Sequence, residues 1–179
     1  MTFKEGVSRA LAIIKLDGAA VDDTARDSSA TGMAFLIAIL AGVANAIGSL
    51  MLPGLIILPI MMVVGLLVST LVLWIIAMIF GGRASFMELL RPIGHSMMLS
   101  WVTVIPIIGP FLSFFVGIWS IVMDVIIVRE VFDFSTGKAV TVVLIPVVVA
   151  LIVAFAMAAW VVSTFSTNPA LLAQLTALQ

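Results

Sequence analysis

The chain has 179 residues, 64% of them hydrophobic and 9% charged, with a mean hydropathy of +1.37. A soluble domain is roughly 45–50% apolar and about 25% charged, so a soluble globular domain and a disordered chain are both excluded. There is no cysteine, hence no disulfide scaffold and no thiolate nucleophile or metal ligand, and a formal net charge of −1 leaves no basic surplus to neutralise nucleic-acid phosphates.

Thr2-x-x-Glu5 has the form of a capping box, and after it Phe3, Val7, Ala10, Leu11 and Ile14 share one helical face with Glu5, Ser8 and Arg9 opposite. Such a helix either lies on the cytoplasmic leaflet or packs beneath a helical bundle. The run of Asp22, Asp23 and Asp27 reads as a solvated acidic linker rather than a cation site. Residues 1–31 are therefore expected to form a cytoplasmic segment, amphipathic and then acidic. They contain no continuous apolar run of the kind a cleavable signal needs, so the first span is expected to serve as the insertion signal.

A bilayer core of about 30 Å needs roughly 20 apolar helical residues. Five segments meet or approach this: Gly32–Leu52, Leu55–Phe80, Pro92–Ile105, Phe111–Val128 and Ala139–Thr164. The third is short but can draw on the turns from Phe86, with Glu88 and Arg91 snorkelling to the headgroups. Pro53-Gly54 and the Pro106 to Pro110 turn make spans one and two, and spans three and four, antiparallel hairpins. Ser85-x-x-Glu88 reads as a second capping box after the Gly81-Gly82 break, Pro92 marks a kink or restart, and Ser135-Thr136-Gly137 places the start of the last helix. No segment alternates polar and apolar residues, which excludes a barrel. The expected fold is all-α: a polytopic membrane helical bundle of five transmembrane helices over residues 32–164, preceded by a short amphipathic helix and followed by an extracytoplasmic tail at 165–179.

All eight basic residues fall on one side of such a bundle. Lys4, Arg9, Lys15 and Arg26 precede span one, Arg83 and Arg91 separate spans two and three, and Arg129 and Lys138 separate spans four and five. Cytoplasmic loops retain basic residues, so the N-terminus is expected inside, with the chain a multi-pass protein of the cell (cytoplasmic) membrane.

The inventory for chemistry is thin. There is one histidine, no cysteine and no tyrosine, and no serine sits in a nucleophile elbow, so no catalytic, cofactor or metal residue is assigned. Asp124 is the clearly intramembrane ionisable residue, and His95 lies at a similar depth on the antiparallel third span. The two read either as a proton- or ion-handling pair or as a structural pair fixing how spans three and four pack. Arg83, Glu88, Arg91, Arg129 and Lys138 complete the candidate polar set at the cytoplasmic end. Small residues recur at four-residue spacing in Ala34, Ala38, Gly42 and Ala46 and again in Ala150, Ala154 and Ala158, forming seams for packing within one chain or between chains. Trp74 and Trp160 lie near span ends, whereas Trp101 and Trp119 fall nearer mid-span, where their N–H groups need protein acceptors.

The stretch from Gly81 to Ile145 carries Gly81-Gly82-Arg83-Ala84-Ser85-Phe86, Glu88-Leu89-Leu90-Arg91 with Gly94, and Ile105-Pro106-Ile107-Ile108-Gly109. Trp119, Val128-Arg129 and Asp133-Phe134-Ser135-Thr136-Gly137-Lys138-Ala139 follow, and Leu16-Asp17 and Ser29-Ala30-Thr31-Gly32 precede the first span. In this order and spacing the chain resembles the prokaryotic branch of the Ypt-interacting-protein (YIP) domain family. The resemblance implies five spans and a cytosolic N-terminus, and it supplies no catalytic residues. Eukaryotic relatives are associated with Rab-type GTPases, vesicle traffic and membrane shaping. The expected function is that of a non-enzymatic protein that organises the lipid bilayer or scaffolds partners, as a homo-oligomer or through a protein partner on its cytoplasmic face. The alternative is a small channel or transporter with a polar path involving Asp124 and His95.

Overall fold

Both capping boxes form. Thr2 and Glu5 exchange hydrogen bonds at the start of the first helix, and Ser85 and Glu88 do the same at the start of the fifth. In the computed structural model, which describes residues 1–106 and 108–167, every regular element among the described residues is helical. The helices are α1 (Phe3–Ile14), α2 (Gly18–Arg26), α3 (Ala30–Gly48), α4 (Gly54–Ile79), α5 (Phe86–Ser96), α6 (Ile108–Val131) and α7 (Thr136–Thr167), with a 3-10 helix over Met97–Val104 continuing α5. Two compact units are distinguished, Met1–Val143 and Leu144–Gln179.

Among the described residues four helices are long and apolar enough to cross a membrane: Ala30–Gly48, Gly54–Ile79, Phe111–Val131 within α6, and Thr136–Thr164 within α7. The third expected span differs. Its apolar stretch is divided between α5 and the 3-10 helix, and α5 runs through Pro92 rather than restarting there. The acidic linker expected around Asp22 is also replaced by a helix. Val21, Thr24 and Ala25, spaced three and four apart, bury one side of α2, while Asp17 caps its first turn by accepting from Ala19 and Ala20 N–H at 3.0 and 3.3 Å. The last helix extends to Thr167; residues 168–179, the greater part of the expected tail, lie outside the described residues.

α3 lies at the centre of the first unit because its small side chains let three neighbours approach closely. Ala34 abuts Gly94 of α5, and a Cβ at Gly42 would overlap the Pro59 backbone of α4. Ala46 faces Gly54, and a Cβ at Gly48 would overlap the Thr103 carbonyl of the 3-10 helix. Pairings of Gly42 with Pro59 and Ala46 with Gly54 run in opposite senses, so α3 and α4 are antiparallel. Pairings of Ala34 with Gly94 and Gly48 with Thr103 run in the same sense, so α5 and its 3-10 continuation run parallel to α3. The first small-residue row thus packs within the chain. The second, Ala150, Ala154 and Ala158, belongs to the Leu144–Gln179 unit and is exposed.

Candidate functional site

At the end of the first unit where α3 begins, α1 and α2 form a layer fastened to α6 and α5 through their own C-terminal carbonyls. The last carbonyls of a helix lack intrahelical donors. The Ile14 carbonyl, ending α1, accepts the Trp119 indole N–H at 3.0 Å, and the Ala25 carbonyl, near the end of α2, accepts the Arg91 guanidinium at 2.5 Å. Arg91 Nε also donates to Thr31 Oγ1 at 2.9 Å, so one side chain joins α5 to α2 and to the first turn of α3. Arg9 of α1 pairs with Asp27 at 2.7 Å. Asp27 further accepts the Ser29 hydroxyl at 2.7 Å and its backbone N–H at 2.9 Å, and these bonds with the Arg9 pair hold its carboxyl down at about 2, against an ordinary 3.8.

Beside this layer two of the stretches that carry the family resemblance, the Gly81-Gly82 corner and the stretch from Phe134 to Lys138, come together around Phe132. The Phe132 ring closes on Gly82, where a Cβ would overlap it, and stacks on Phe134 with ring centroids 5.5 Å apart. Lys138 Nζ sits 4.1 Å above the Phe134 ring, a cation–π contact. Gly81 at φ +85° and Asp133 at φ +52° turn the chain at the two corners that bring these segments together. Between the cluster and α2 opens a polar cleft of about 380 Å³, lined by Asp22 and Arg26 of α2, Arg83, Glu88, Glu130 and Asp133. Arg26 pairs with Asp22 at 2.8 Å and its charge is favoured further by that bond, while Arg129 pairs with its neighbour Glu130.

The expected polar residues are therefore distributed over different tasks. Arg83 and Glu88 line the cleft, Arg91 is a tie, Lys138 caps an aromatic ring, and Arg129 is held by Glu130. The expected pairing of His95 with Asp124 is not made. His95 is fully buried, and its Nδ1–H donates to the Arg91 carbonyl at 2.8 Å, which leaves Nε2 without a hydrogen-bond partner among the described residues. Asp124 is half-buried on α6. The expectation rests on depth along the spans, which is all that the spacing of residues supplies and does not fix a partner. The mid-span tryptophans do find protein acceptors, Trp101 on the Ile37 carbonyl at 3.2 Å and Trp119 on Ile14. Sequence reasoning missed Glu130, Asp133 and the Arg9–Asp27 pair; the acidic run around Asp27 was the available signal.

The acidic run around Asp22 is dispersed by pairing, Asp22 with Arg26 and Asp27 with Arg9, and no metal-binding cluster is present among the described residues. Helices of membrane length with a polar layer at one end define a polytopic helical membrane protein, in contact with the lipid bilayer. The sequence profile of the Yip1 domain matches residues 17–158, and the chain belongs to the Yip1 domain family. No curated protein and no solved structure matches the chain significantly. Membership is consistent with a non-enzymatic membrane protein.

Proposed function

We propose that this Yip1-family protein is a five-span protein of the cytoplasmic membrane, N-terminus inside, that organises the membrane or scaffolds partners at its cytoplasmic face. The observation that carries the reading is the course of α5 and its 3-10 continuation, which run parallel beside α3 from Ala34 to Gly48. The 3-10 helix rises about 2.0 Å per residue against about 1.5 Å for an α-helix, so the segment beyond Arg91, from Pro92 to Val104, extends to roughly 24 Å, most of a bilayer core of about 30 Å. A neighbour that follows a membrane-crossing helix along its length crosses with it. Adding this segment to the four membrane-length helices places all eight basic residues on one side, which the positive-inside rule makes cytoplasmic.

On that side the α1–α2 layer is held by Arg91, Trp119 and the Arg9–Asp27 pair, and the polar cleft beside it offers both signs of charge to a protein partner. The channel reading would need a polar path, and His95 and Asp124 supply no joined pair for one. Because the chain lacks cysteine, single-cysteine variants decide the topology. An impermeant maleimide applied outside intact cells is expected to label Ile105→Cys and to leave Asp23→Cys and Arg83→Cys untouched. Labelling of Asp23→Cys from outside would reverse the orientation, and protection of Ile105→Cys with inside access would reduce the spans to four.

A further inference from the structure

The outward face of α1 is left unused by the packing described above. Gly6, Ala10 and Ile13 turn inward and are buried, whereas Phe3 and Leu11 remain 51% and 45% exposed. At 3.6 residues per turn Phe3 and Leu11 border the outward side of the helix with Lys4, and with Lys15 just past its end, while Val7 packs against the buried Ala10, Met33, Ile37 and Met98. Both lysines are exposed, and neither makes an ion pair among the described residues. Glu5, the acidic residue of the first turn, lies on the opposite side in the Thr2 capping box.

The level at which α1 sits decides what this face meets. A Cβ at Gly6 would press on Met33, inside the membrane-length helix α3, and the Ile14 carbonyl holds Trp119, inside the membrane-length part of α6. α1 therefore reaches from one membrane-length helix to another, and both ends are fixed to residues within them. An outward apolar face at that level meets lipid, and lysines bordering it reach the headgroups by extending their stems.

We propose that the outward face of α1 is a binding surface for anionic phospholipid, with Phe3 and Leu11 among the acyl chains and Lys4 and Lys15 on the headgroup phosphates. The lipid contact rests on the membrane crossing of α3 and α6; only the identity of the leaflet rests on the N-inside topology. Each lysine near an anionic surface is worth roughly a fivefold change in association.

The test uses the full chain carrying Leu11→Cys, labelled with a nitroxide and reconstituted in phosphatidylcholine bilayers with increasing phosphatidylglycerol. Collisions with dissolved oxygen and with a water-soluble nickel chelate report the label's depth. The expected result is a label shielded from nickel, whose shielding deepens as phosphatidylglycerol is added. Lys4→Gln with Lys15→Gln should raise the phosphatidylglycerol fraction needed for half of that deepening by at least about fivefold. Nickel access to Leu11→Cys in anionic bilayers would overturn the proposal, leaving the face to a protein. Shielding independent of phosphatidylglycerol would overturn it as well, by removing the role of charge. The parent label is read without the lysine variants, so their misfolding would not confuse the result. With phosphatidylglycerol in both leaflets the result is the same whichever way the N-terminus faces, so a failure of the N-inside topology, read by the maleimide labelling above, is distinguishable from a failure of the lipid face.

Discussion

α3 and α4 are adjacent, antiparallel and both apolar, yet they are used in opposite ways. α3 is the less hydrophobic of the two, with mean hydropathy 2.0 against 2.8 over its membrane-length window, and it is the more buried, at 50% against 17%. In water the ordering would be reversed. Lipid chains are as apolar as leucine, so nothing drives a large aliphatic side chain out of the bilayer into the bundle, and what gathers helices is close backbone approach. Alanine and glycine permit it; leucine and isoleucine prevent it and are left to face lipid. Ala34, Ala38, Ala41 and Ala46 are buried in α3, while Ile56, Ile60, Val64 and Val68 of α4 are exposed.

The largest effect that tests this contrast is expected at Gly42. Its position against the Pro59 backbone leaves no room for a side chain, and backbone cannot swing away as the end of a flexible side chain can. Gly42→Leu should destabilise the folded protein in detergent by about 1–3 kcal/mol or prevent its folding, read as loss of thermal stability. An unchanged melting temperature would show that α3 and α4 are not held by close approach.

What was legible in the sequence follows the range of the interaction. The capping boxes at Thr2 and Ser85, the Gly81-Gly82 break and the small-residue row of α3 are local, and each is visible in residues three or four apart. The ties of the α1–α2 layer are not, because Trp119 and Arg91 donate to backbone carbonyls 105 and 66 residues away, and a carbonyl carries no residue identity to recognise. His95 and Asp124 illustrate a different limit. Position along a span gives depth, whereas pairing also needs the direction each side chain faces around its helix, and the bond that His95 makes is to the Arg91 carbonyl of its own helix. The third expected span is short at the α-helical rise, and the 3-10 helix over Met97–Val104 lengthens that segment by about 0.5 Å per residue.

A smaller effect should appear at the start of α3, where Asp27 holds Arg9 and both polar groups of Ser29. A carboxyl at about 2 in the native protein and 3.8 in its ordinary state binds fewer protons when folded. Its contribution is therefore fully present above pH 4 and is lost as pH falls through about 2. A spin label at Ser8→Cys on α1 should gain mobility over that window, while a label on α4 at Ser69→Cys should not. Asp27→Asn should remove the acid step. A label that stays fixed down to pH 2 would show that Arg91 and Trp119 hold the layer without the ion pair.

The smallest effect is expected at Ile60 of α4, and it is the more demanding test of the contrast because it predicts almost nothing. Ile60 is 58% exposed. In a soluble core, removing an isoleucine side chain to alanine costs about 2–5 kcal/mol, made of lost transfer energy and of the cavity left behind. At a lipid-facing position neither contribution survives, since acyl chains fill the vacated space and the side chain was in hydrocarbon before and after. Ile60→Ala should therefore change stability by less than about 0.5 kcal/mol, against several times that for Ile37→Ala at the fully buried position in α3. Equal losses for the two variants, measured by thermal unfolding in the same detergent, would mean that the outward face of α4 is covered by protein rather than lipid, and the opposed use of the two helices would no longer stand.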